Sequence, residues 1–249
     1  MCGRYTLIRL ADFTDMFPWI RPPAHEFSAR FNIAPSQLVP VVPNDAGHEV
    51  TFFKWGLVPS WAKDAAIGNR MINARVEGIA EKPAFRAAFK RRRCLVPASG
   101  FYEWKSNPAG GKTPMYIRMK DRKPFAFAGL WETWHSPDGS TLNTCTIITG
   151  NPNTLIEPIH NRMAVILKPE HYKTWLTEGE VNAAELLSLL APYPPELMEA
   201  YAVSRAVNNP ANDSAGLIEP ADSTPQPEAK PQAPRRARRK SADDSPGLF

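Results

Sequence analysis

Cysteine is scarce in this sequence, and no two cysteines are placed to act as a pair. Cys2, Cys94 and Cys145 are the 3 cysteines among 249 residues, and they are widely separated. An odd, scattered set of thiols argues against a disulfide framework and lacks the Cys-x-x-Cys spacing of a zinc half-site. We therefore expect free thiols, no metal site and no cofactor.

Long apolar runs are missing as well. Arg4, Arg9, Asp12 and Asp15 interrupt the start of the chain, which excludes the apolar segment of a signal peptide. No later stretch approaches the roughly 20 apolar residues that a membrane-spanning helix needs. These absences predict a soluble, intracellular protein that has no membrane partner and that, in a bacterium, is cytoplasmic.

The chain lacks a strong charge imbalance. The formal net charge is +5, and residues 221–249 account for +2 of it through six basic and four acidic side chains. That stretch has almost no large apolar residue, so it cannot bury enough surface to offset its ordering entropy. We predict a domain over residues 2–220 and a disordered tail over residues 221–249. The remaining charge permits a polyanionic partner without requiring one.

Short alternating apolar segments, separated by turn residues, make up most of the chain. Residues 38–42 and 50–55 alternate on either side of a turn, which predicts an antiparallel hairpin, and Pro40 suggests an edge strand. Further strands are predicted at 93–98, 100–105, 115–119, 125–132, 143–149, 164–167 and 199–203, and helices at 10–17, 85–89, 170–176 and 183–190. The expected fold is mixed α+β, with mostly antiparallel strands in a barrel-like core and peripheral helices. We expect a monomer.

The second residue offers the most distinctive chemistry. If Met1 is removed, Cys2 carries an α-amine with a pKa of about 7.7–8.0 beside a thiol with a pKa of about 8.5. The amine can attack an aldehyde to give an imine, and the thiol can then close on the imine carbon to give a thiazolidine. The same group can instead attack an amide as an amine-activated thiolate. The dipeptide alone is equally compatible with a cysteine that merely follows the start codon.

Three further side chains could assist such an amine, which needs an acid or base and hydrogen-bond donors around it. Glu103 is flanked by aromatic residues, where desolvation would raise its pKa into the range of a general acid. His160 follows a turn, and Asn73 could donate to a sugar hydroxyl. Each also has an ordinary interpretation, as a strand-surface glutamate, an exposed histidine and an amide paired to the backbone.

Several residues would suit a nucleic acid. Arg4, Arg75 and Arg162 each lie within two residues of a candidate reactive group, which suits a substrate with phosphates. Trp61, in a proline-flanked loop, could stack on a base or wedge beside it. Scattered arginines are usually surface residues and tryptophans are usually core residues. The basic residues 90–93 are interpreted as a solvated helix end, with a phosphate contact as the alternative.

Seven short motifs together resemble one known family. In chain order they are Met1-Cys2-Gly3-Arg4-Tyr5, Phe31-Asn32-Ile33-Ala34-Pro35, Trp55-Gly56-Leu57-Val58-Pro59-Ser60-Trp61, Ile72-Asn73-Ala74-Arg75-Val76-Glu77, Gly100-Phe101-Tyr102-Glu103-Trp104, His160-Asn161-Arg162-Met163 and Val203-Ser204-Arg205-Ala206-Val207-Asn208. From residue 2 to about residue 220 they look like the successive motifs of the SOS response-associated peptidase (SRAP) domain. Seven motifs in register are far more specific than any one of them.

The resemblance implies a DNA-repair protein that senses abasic sites in single-stranded DNA and crosslinks to them. Cys2 would be the nucleophile, forming a thiazolidine with the ring-opened deoxyribose aldehyde and so shielding the lesion. Asn73 would position the opened sugar, and Glu103 would shuttle protons for ring opening, closure and reversal. His160 would support the imine and the sugar oxygen. The family name also implies peptidase chemistry, connected with release of Met1, and the expectation includes a lyase side activity.

The resemblance further implies a DNA-binding surface. The predicted DNA-binding residues are Arg4, Asn32, Pro35, Trp61, Arg75 and Arg162. The three arginines would contact backbone phosphates, and the tryptophan would cover the exposed base step. The sequence departs from the family pattern at Ala62, where some relatives carry a second aromatic residue, so stacking there would be weaker. It also has Ala164 where the family often has proline, with little expected consequence.

Two other classes of protein remain open. N-terminal-nucleophile amidohydrolases also begin Met-Cys-Gly, but they need glycine-rich strands and an oxyanion loop around a glutamine pocket, which the sequence does not show. Release of ammonia from glutamine, abolished in Cys2→Ala, would favour that class. A non-catalytic nucleic-acid-binding module with an idle Cys2 would bind DNA in a salt-sensitive manner and without regard to an abasic site.

Overall fold

The structure is a computed structural model that describes residues 2–45 and 47–221. The strands in these ranges are β1 (Tyr5–Leu7), β2 (Arg30–Ile33), β3 (Leu38–Pro43), β4 (Thr51–Trp55), β5 (Asn73–Arg75), β6 (Arg93–Ala98), β7 (Gly100–Ser106), β8 (Lys112–Met119), β9 (Phe125–His135), β10 (Thr141–Gly150), β11 (Met163–Ala164) and β12 (Met198–Ala202). The α-helices are α1 (Leu10–Met16), α2 (Arg86–Arg91), α3 (Tyr172–Trp175) and α4 (Ala183–Ser188). None of the helices described is long and apolar enough to cross a membrane.

The predicted tail lies outside the described residues, apart from its first residue. The boundary at residue 220 therefore stays a prediction.

Five strands close into a barrel in the order β10, β4, β3, β6 and β9. Four of the contacts are antiparallel, those of β3 with β4 and with β6 and those of β9 with β6 and with β10. The ring closes where β10 runs parallel to β4, with Thr144 beside Lys54 and Cys145 beside Trp55. The predicted mixed α+β fold, with mostly antiparallel strands in a barrel-like core and peripheral helices, is confirmed.

A second sheet places the amino-terminal strand in its interior. Its order is β12-β8-β7-β1-β2, and every pairing in it is antiparallel. Tyr5 of β1 packs edge-on against Trp55 and Phe127 of the barrel, with ring centroids 5.4 and 6.0 Å apart. All three rings are buried, so this contact joins the two sheets into one core. The start of the chain is thereby fixed at the junction of the sheets.

The prediction of an edge strand at Pro40 is wrong. β3 lies between β4 and β6, inside the barrel wall. Its ladder to β6 includes only Val42 and Pro43, at the far end of the strand. The missing N–H of Pro40 therefore lies outside that ladder, and the strand tolerates the proline.

A close contact between two glycines shapes the loop between β4 and β5. A Cβ atom at Gly68 would lie 2.6 Å from the carbonyl oxygen of Gly56, and one at Gly56 would lie 2.6 Å from that of Gly68. Gly56 also has a φ of +134°, which residues with a side chain rarely adopt. The two backbones can approach only because both residues lack a side chain, and the loop between them carries Trp61.

Candidate functional site

Cys2 is held by the interior strand β1 of the second sheet. Tyr5 pairs with β2 on one side and with β7 on the other, and the Tyr102 N–H donates to the Arg4 carbonyl at 2.9 Å. Chain ends usually fray, but bonding on both sides ties this one down. The cysteine is completely buried as a result.

The Asn73 side chain contacts the cysteine directly. Its Nδ2 atom donates to the carbonyl oxygens of Cys2 at 3.0 Å and Ile72 at 2.8 Å. Asn73 lies on β5, which runs parallel to β10 and places it opposite Ile147. The Oδ1 atom is buried and has no hydrogen-bond partner among the described residues. An amide held in this way can accept a hydrogen bond from an incoming hydroxyl.

Glu103 supplies a carboxyl group with an unusual pKa beside the thiol. It lies on β7 and is 2% exposed, and burial raises its pKa to about 7, against a lowering effect of the amino-terminal charge. Burial also raises the pKa of the Cys2 thiol far above its usual range, and the charge of Glu103 raises it further. At neutral pH the thiol is therefore protonated, while the carboxyl group can exist in both its neutral and its ionised form.

His160 is set as a neutral imidazole. The Nδ1 atom of His160 lies 3.0 Å from the backbone nitrogen of Arg162, whose N–H can donate to it, and 3.1 Å from the Arg162 carbonyl oxygen, to which a protonated Nδ1 would donate. The contacts therefore suit either neutral tautomer. Burial lowers the pKa of the ring, and the positive charges of the amino terminus, Lys112 and Arg162 lower it further. The ring can thus donate a hydrogen bond at neutral pH without carrying a charge.

Lys112 is a residue that the sequence reasoning missed. It begins β8, directly after a pair of glycines, and is exposed. Its positive charge lowers the pKa of both Glu103 and His160, so these two groups share one electrostatic environment. A lysine that follows a turn carries no local signal of such a role.

Arg162 binds Glu77, a contact that the sequence did not indicate. Its Nη1 and Nη2 atoms donate to the two carboxylate oxygens of Glu77 at 2.6 and 2.7 Å, and Nη2 also donates to the Thr149 carbonyl at 2.9 Å. The hydrogen bond from Arg162 lowers the pKa of Glu77 to about 2. Arg75 is exposed and lies opposite Thr149 in the β5–β10 pairing, which places the two arginines at the same strand end.

Arg4 and Asn32 form a braced pair. The Arg4 Nη1 atom donates to Asn32 Oδ1 and to the Val207 carbonyl, both at 2.8 Å, and the guanidinium lies 5.9 Å from the Trp104 ring centroid. Asn32 is fully buried, and its Nδ2 atom bonds backbone carbonyls of residues 207, 209 and 212. The side chain of Asn32 is thus engaged within the protein, so any effect on DNA would act through Arg4.

Pro35 and Trp61 belong to a separate pair of loops. Pro35 is half-buried in the turn after β2, where the Ser36 hydroxyl bonds Asn69 Oδ1 at 3.1 Å. Trp61 is 60% exposed, while the carbonyl of the residue after it accepts from the Trp134 indole at 2.7 Å. The backbone beside Trp61 is therefore anchored and its ring projects outward, the geometry that a stacking contact requires.

The chemical groups around the amino terminus can move protons and orient a substrate. They are a protonated thiol, a carboxyl group of near-neutral pKa, a neutral imidazole and an amide with an idle acceptor. Across residues 2–45 and 47–221, no three His, Cys, Asp or Glu side chains come together as metal ligands.

Fold and site together define a barrel-based protein with a buried cysteine near its amino terminus, beside an acid and an amide. The sequence matches the family model for SOS response associated peptidase (SRAP) over residues 1–210. This match covers most of the chain, so the protein belongs to the SRAP family.

Relatives with known names and structures agree with this assignment. The chain is 46% identical over 224 residues to the abasic site processing protein YoqW of Bacillus subtilis, covering 88% of this chain and 99% of that protein. It is 29% identical to the rat abasic site processing protein HMCES, covering 89% of this chain and 76% of that protein. A crystal structure of a protein from Bacteroides thetaiotaomicron superposes with a TM-score of 0.79 at 28% identity, covering 88% of this chain and all of that one.

Proposed function

We propose that this protein processes abasic sites in single-stranded DNA by capturing them covalently through Cys2, once Met1 has been removed. The observation that carries the proposal is the setting of Cys2, with the Asn73 amide on its carbonyl oxygen and the Glu103 carboxyl group beside its thiol. The printed names of YoqW and HMCES, both abasic site processing proteins, support the same conclusion.

The capture begins at the α-amine of Cys2. The amine adds to the aldehyde carbon of the ring-opened deoxyribose and gives a carbinolamine. Glu103, protonated in part at neutral pH, donates a proton to the carbinolamine hydroxyl, which leaves as water and forms an iminium ion. The sulfur then bonds to the iminium carbon, and the thiol proton passes to Glu103. The product is a thiazolidine, and the net change is the loss of one water.

The raised pKa of the thiol supports this order of the steps. A buried neutral thiol is a poor nucleophile, and the negative charge of Glu103 makes its ionisation harder still. The iminium ion places a positive charge beside the sulfur, which favours the thiolate. In this scheme the thiol becomes reactive only after the imine has formed. The reaction of the aldehyde with the amine thus activates the thiol that completes the ring.

Two neighbouring groups hold the sugar during these steps. The idle Oδ1 atom of Asn73 accepts a hydrogen bond from a hydroxyl of the opened sugar. In the tautomer whose Nδ1 accepts from the Arg162 N–H, the Nε2–H of His160 donates to the sugar oxygen and stabilises it as charge develops. In this proposal Arg4, Arg75 and Arg162 neutralise phosphates around the lesion, and Trp61 covers the base step.

The test is a denaturing gel of the purified monomeric protein with single-stranded DNA that bears one abasic site. Undamaged DNA and the Cys2→Ala variant are the controls, and mass spectrometry first establishes that the mature chain begins at Cys2. We expect a band that survives denaturation only with the abasic strand and the intact cysteine. Absence of that band from a chain that does begin at Cys2 would overturn the proposal.

A further inference from the structure

A second group of cations lies outside the site, on α2 and the turn before it. Residues 75–93 contain seven basic and two acidic side chains, a local excess equal to the net charge of the whole chain. Not all of these cations are available. Arg91 pairs with Glu180, Arg92 pairs with Glu132, and Arg93 is completely buried.

Lys82, Arg86 and Lys90 are the available ones, and we call them the cationic stripe. All three are exposed, and within residues 2–45 and 47–221 no carboxylate lies at ion-pair distance from any of them. Glu81 and Glu180 line the same groove as Arg86 and Lys90, and the charge of Lys90 contributes to the lowered pKa of Glu180, which Arg91 binds. The Arg86 N–H donates to the Lys82 carbonyl at 2.9 Å, so the helical spacing already begins at Lys82. Residues four apart share one face of a helix, about 6 Å apart. Ala88, on the opposite face, and Phe85 and Phe89, on a flanking face, are buried, which keeps the stripe turned toward solvent.

The stripe begins next to the arginines of the site. The stem of Lys82 lies over Gly78, where its Cε atom is 3.4 Å from the position that a Cβ atom would take. Gly78 directly follows Glu77, which binds Arg162 through both carboxylate oxygens. The stripe therefore starts one turn away from Glu77 and two strand residues further from the exposed Arg75, although Glu77 itself neutralises Arg162.

We propose that the cationic stripe binds the phosphate backbone of the DNA strand that continues from the abasic nucleotide. This inference rests on the proposed function and adds a binding surface to it. Three cations on one face, without carboxylate partners, are complementary to the regularly spaced charges of a single strand. Short steps along the helix let neighbouring cations reach neighbouring phosphates. An acidic protein surface is the alternative occupant, and it would not respond to the length of the DNA.

The test compares DNA affinity for strands of different length. The probes are single strands with a tetrahydrofuran abasic analogue, which has no aldehyde and cannot crosslink. A short strand has two nucleotides on each side of the analogue, and two longer strands add ten nucleotides on the 5′ or the 3′ side. The variant carries Lys82→Gln, Arg86→Gln and Lys90→Gln. The control variant carries Lys120→Gln, Lys123→Gln and Lys168→Gln, three exposed lysines around a groove that shares no residue with the site.

We expect the stripe variant to lose about 10- to 100-fold in affinity for one of the two extended strands at 0.1 M salt, and less than twofold for the short strand. The slope of log affinity against log salt should fall by about 2, because each single-strand phosphate contact contributes about 0.7. Equal losses in the stripe and control variants, or a loss independent of strand length, would overturn the inference.

The covalent gel with a short abasic strand separates the two hypotheses. If the wild-type protein does not crosslink there, the proposed function fails. If it crosslinks and the stripe variant binds extended strands as well as the wild type does, the stripe inference alone fails.

Discussion

Glu103→Gln is the substitution that tests the chemistry of the site most directly. Glutamine keeps the shape of the side chain, with one carboxyl oxygen replaced by an NH₂ group, and cannot ionise at any working pH. In the wild-type protein, burial raises the pKa of Glu103 to about 7, whereas an unfolded chain gives a glutamate a pKa of about 4.3. The two proteins should therefore differ in stability and in reactivity, and both differences should depend on pH.

The stability difference follows from the direction of the pKa change. Because the folded state holds the proton more tightly than the unfolded state, ionisation favours unfolding. Below pH 4 Glu103 is protonated in both the folded and the unfolded state, so it does not lower the free energy of unfolding of the wild type. Between pH 4.3 and 7 stability declines, and above pH 7 the wild type has lost about 3–4 kcal/mol. Glu103→Gln has no such decline, so its advantage over the wild type should grow with pH across this window.

Glu103→Gln should be more stable than the wild type at neutral pH, but it should react more slowly. A positioned acid and base typically contributes 10²- to 10⁴-fold to a rate. The wild-type carboxyl group has both forms present near pH 7, so it can protonate the carbinolamine and also accept the thiol proton. We expect Glu103→Gln to slow both crosslink formation and its reversal by about that factor, and to remove the dependence on pH around 7.

Two measurements check this reasoning together. Urea denaturation at pH 5, 6, 7 and 8 gives the stability difference, and single-turnover crosslinking on a denaturing gel gives the rates at the same pH values. A stability difference that stays constant from pH 5 to pH 8 would refute the raised pKa. Reversal as fast in the variant as in the wild type would show that Glu103 is not the proton shuttle.

Two further predictions concern the framework of the site. Gly68→Ala should cost about 1–3 kcal/mol in urea denaturation, because its Cβ atom would lie 2.6 Å from the Gly56 carbonyl oxygen. The control Gly216→Ala, which would place its Cβ atom in open space, should be close to neutral, and equal costs would contradict the contact. Tyr102→Phe should lose about 1 kcal/mol, because the Tyr102 hydroxyl donates to a backbone carbonyl at 2.8 Å. Tyr5→Phe should be neutral or slightly stabilising, because the Tyr5 hydroxyl is buried without a partner among the described residues; a loss as large as that of Tyr102→Phe would refute this.

Local sequence patterns predicted most of the strands, but they did not predict β2 or the way in which the barrel closes. The hairpin of β3 and β4 was predicted from alternation and a turn, and the structure has it. The barrel is closed by β10 beside β4, through Thr144 next to Lys54, a contact between residues 90 positions apart. A parallel pairing of this kind leaves no signal in either segment, because each segment looks like an ordinary buried strand.

In the site, too, the sequence identifies individual residues but not the contacts between residues that are far apart in the chain. The short motifs single out Asn73 and Glu103, since unusual residue types stand beside apolar strands. Nothing local indicates that Glu77 holds Arg162, or that Lys112 lowers the pKa of Glu103. Those contacts depend on long-range strand register, which the order of the motifs does not fix.

The position of Cys2 suggests how a cysteine at the start of a chain can react with an aldehyde and not with other electrophiles. Most termini are mobile and exposed, which would give a reactive thiol open to any electrophile. Here the interior strand β1 holds the cysteine in a buried setting that keeps its thiol protonated. Burial thus suppresses the thiol until a positive charge arrives beside it, and in the proposed reaction only an aldehyde that has already reacted with the amine supplies that charge. Burial also raises the pKa of Glu103 to about 7, so at neutral pH its carboxyl group can both donate and accept a proton. One structural feature, the interior placement of β1, therefore both restrains the nucleophile and prepares the acid that assists it.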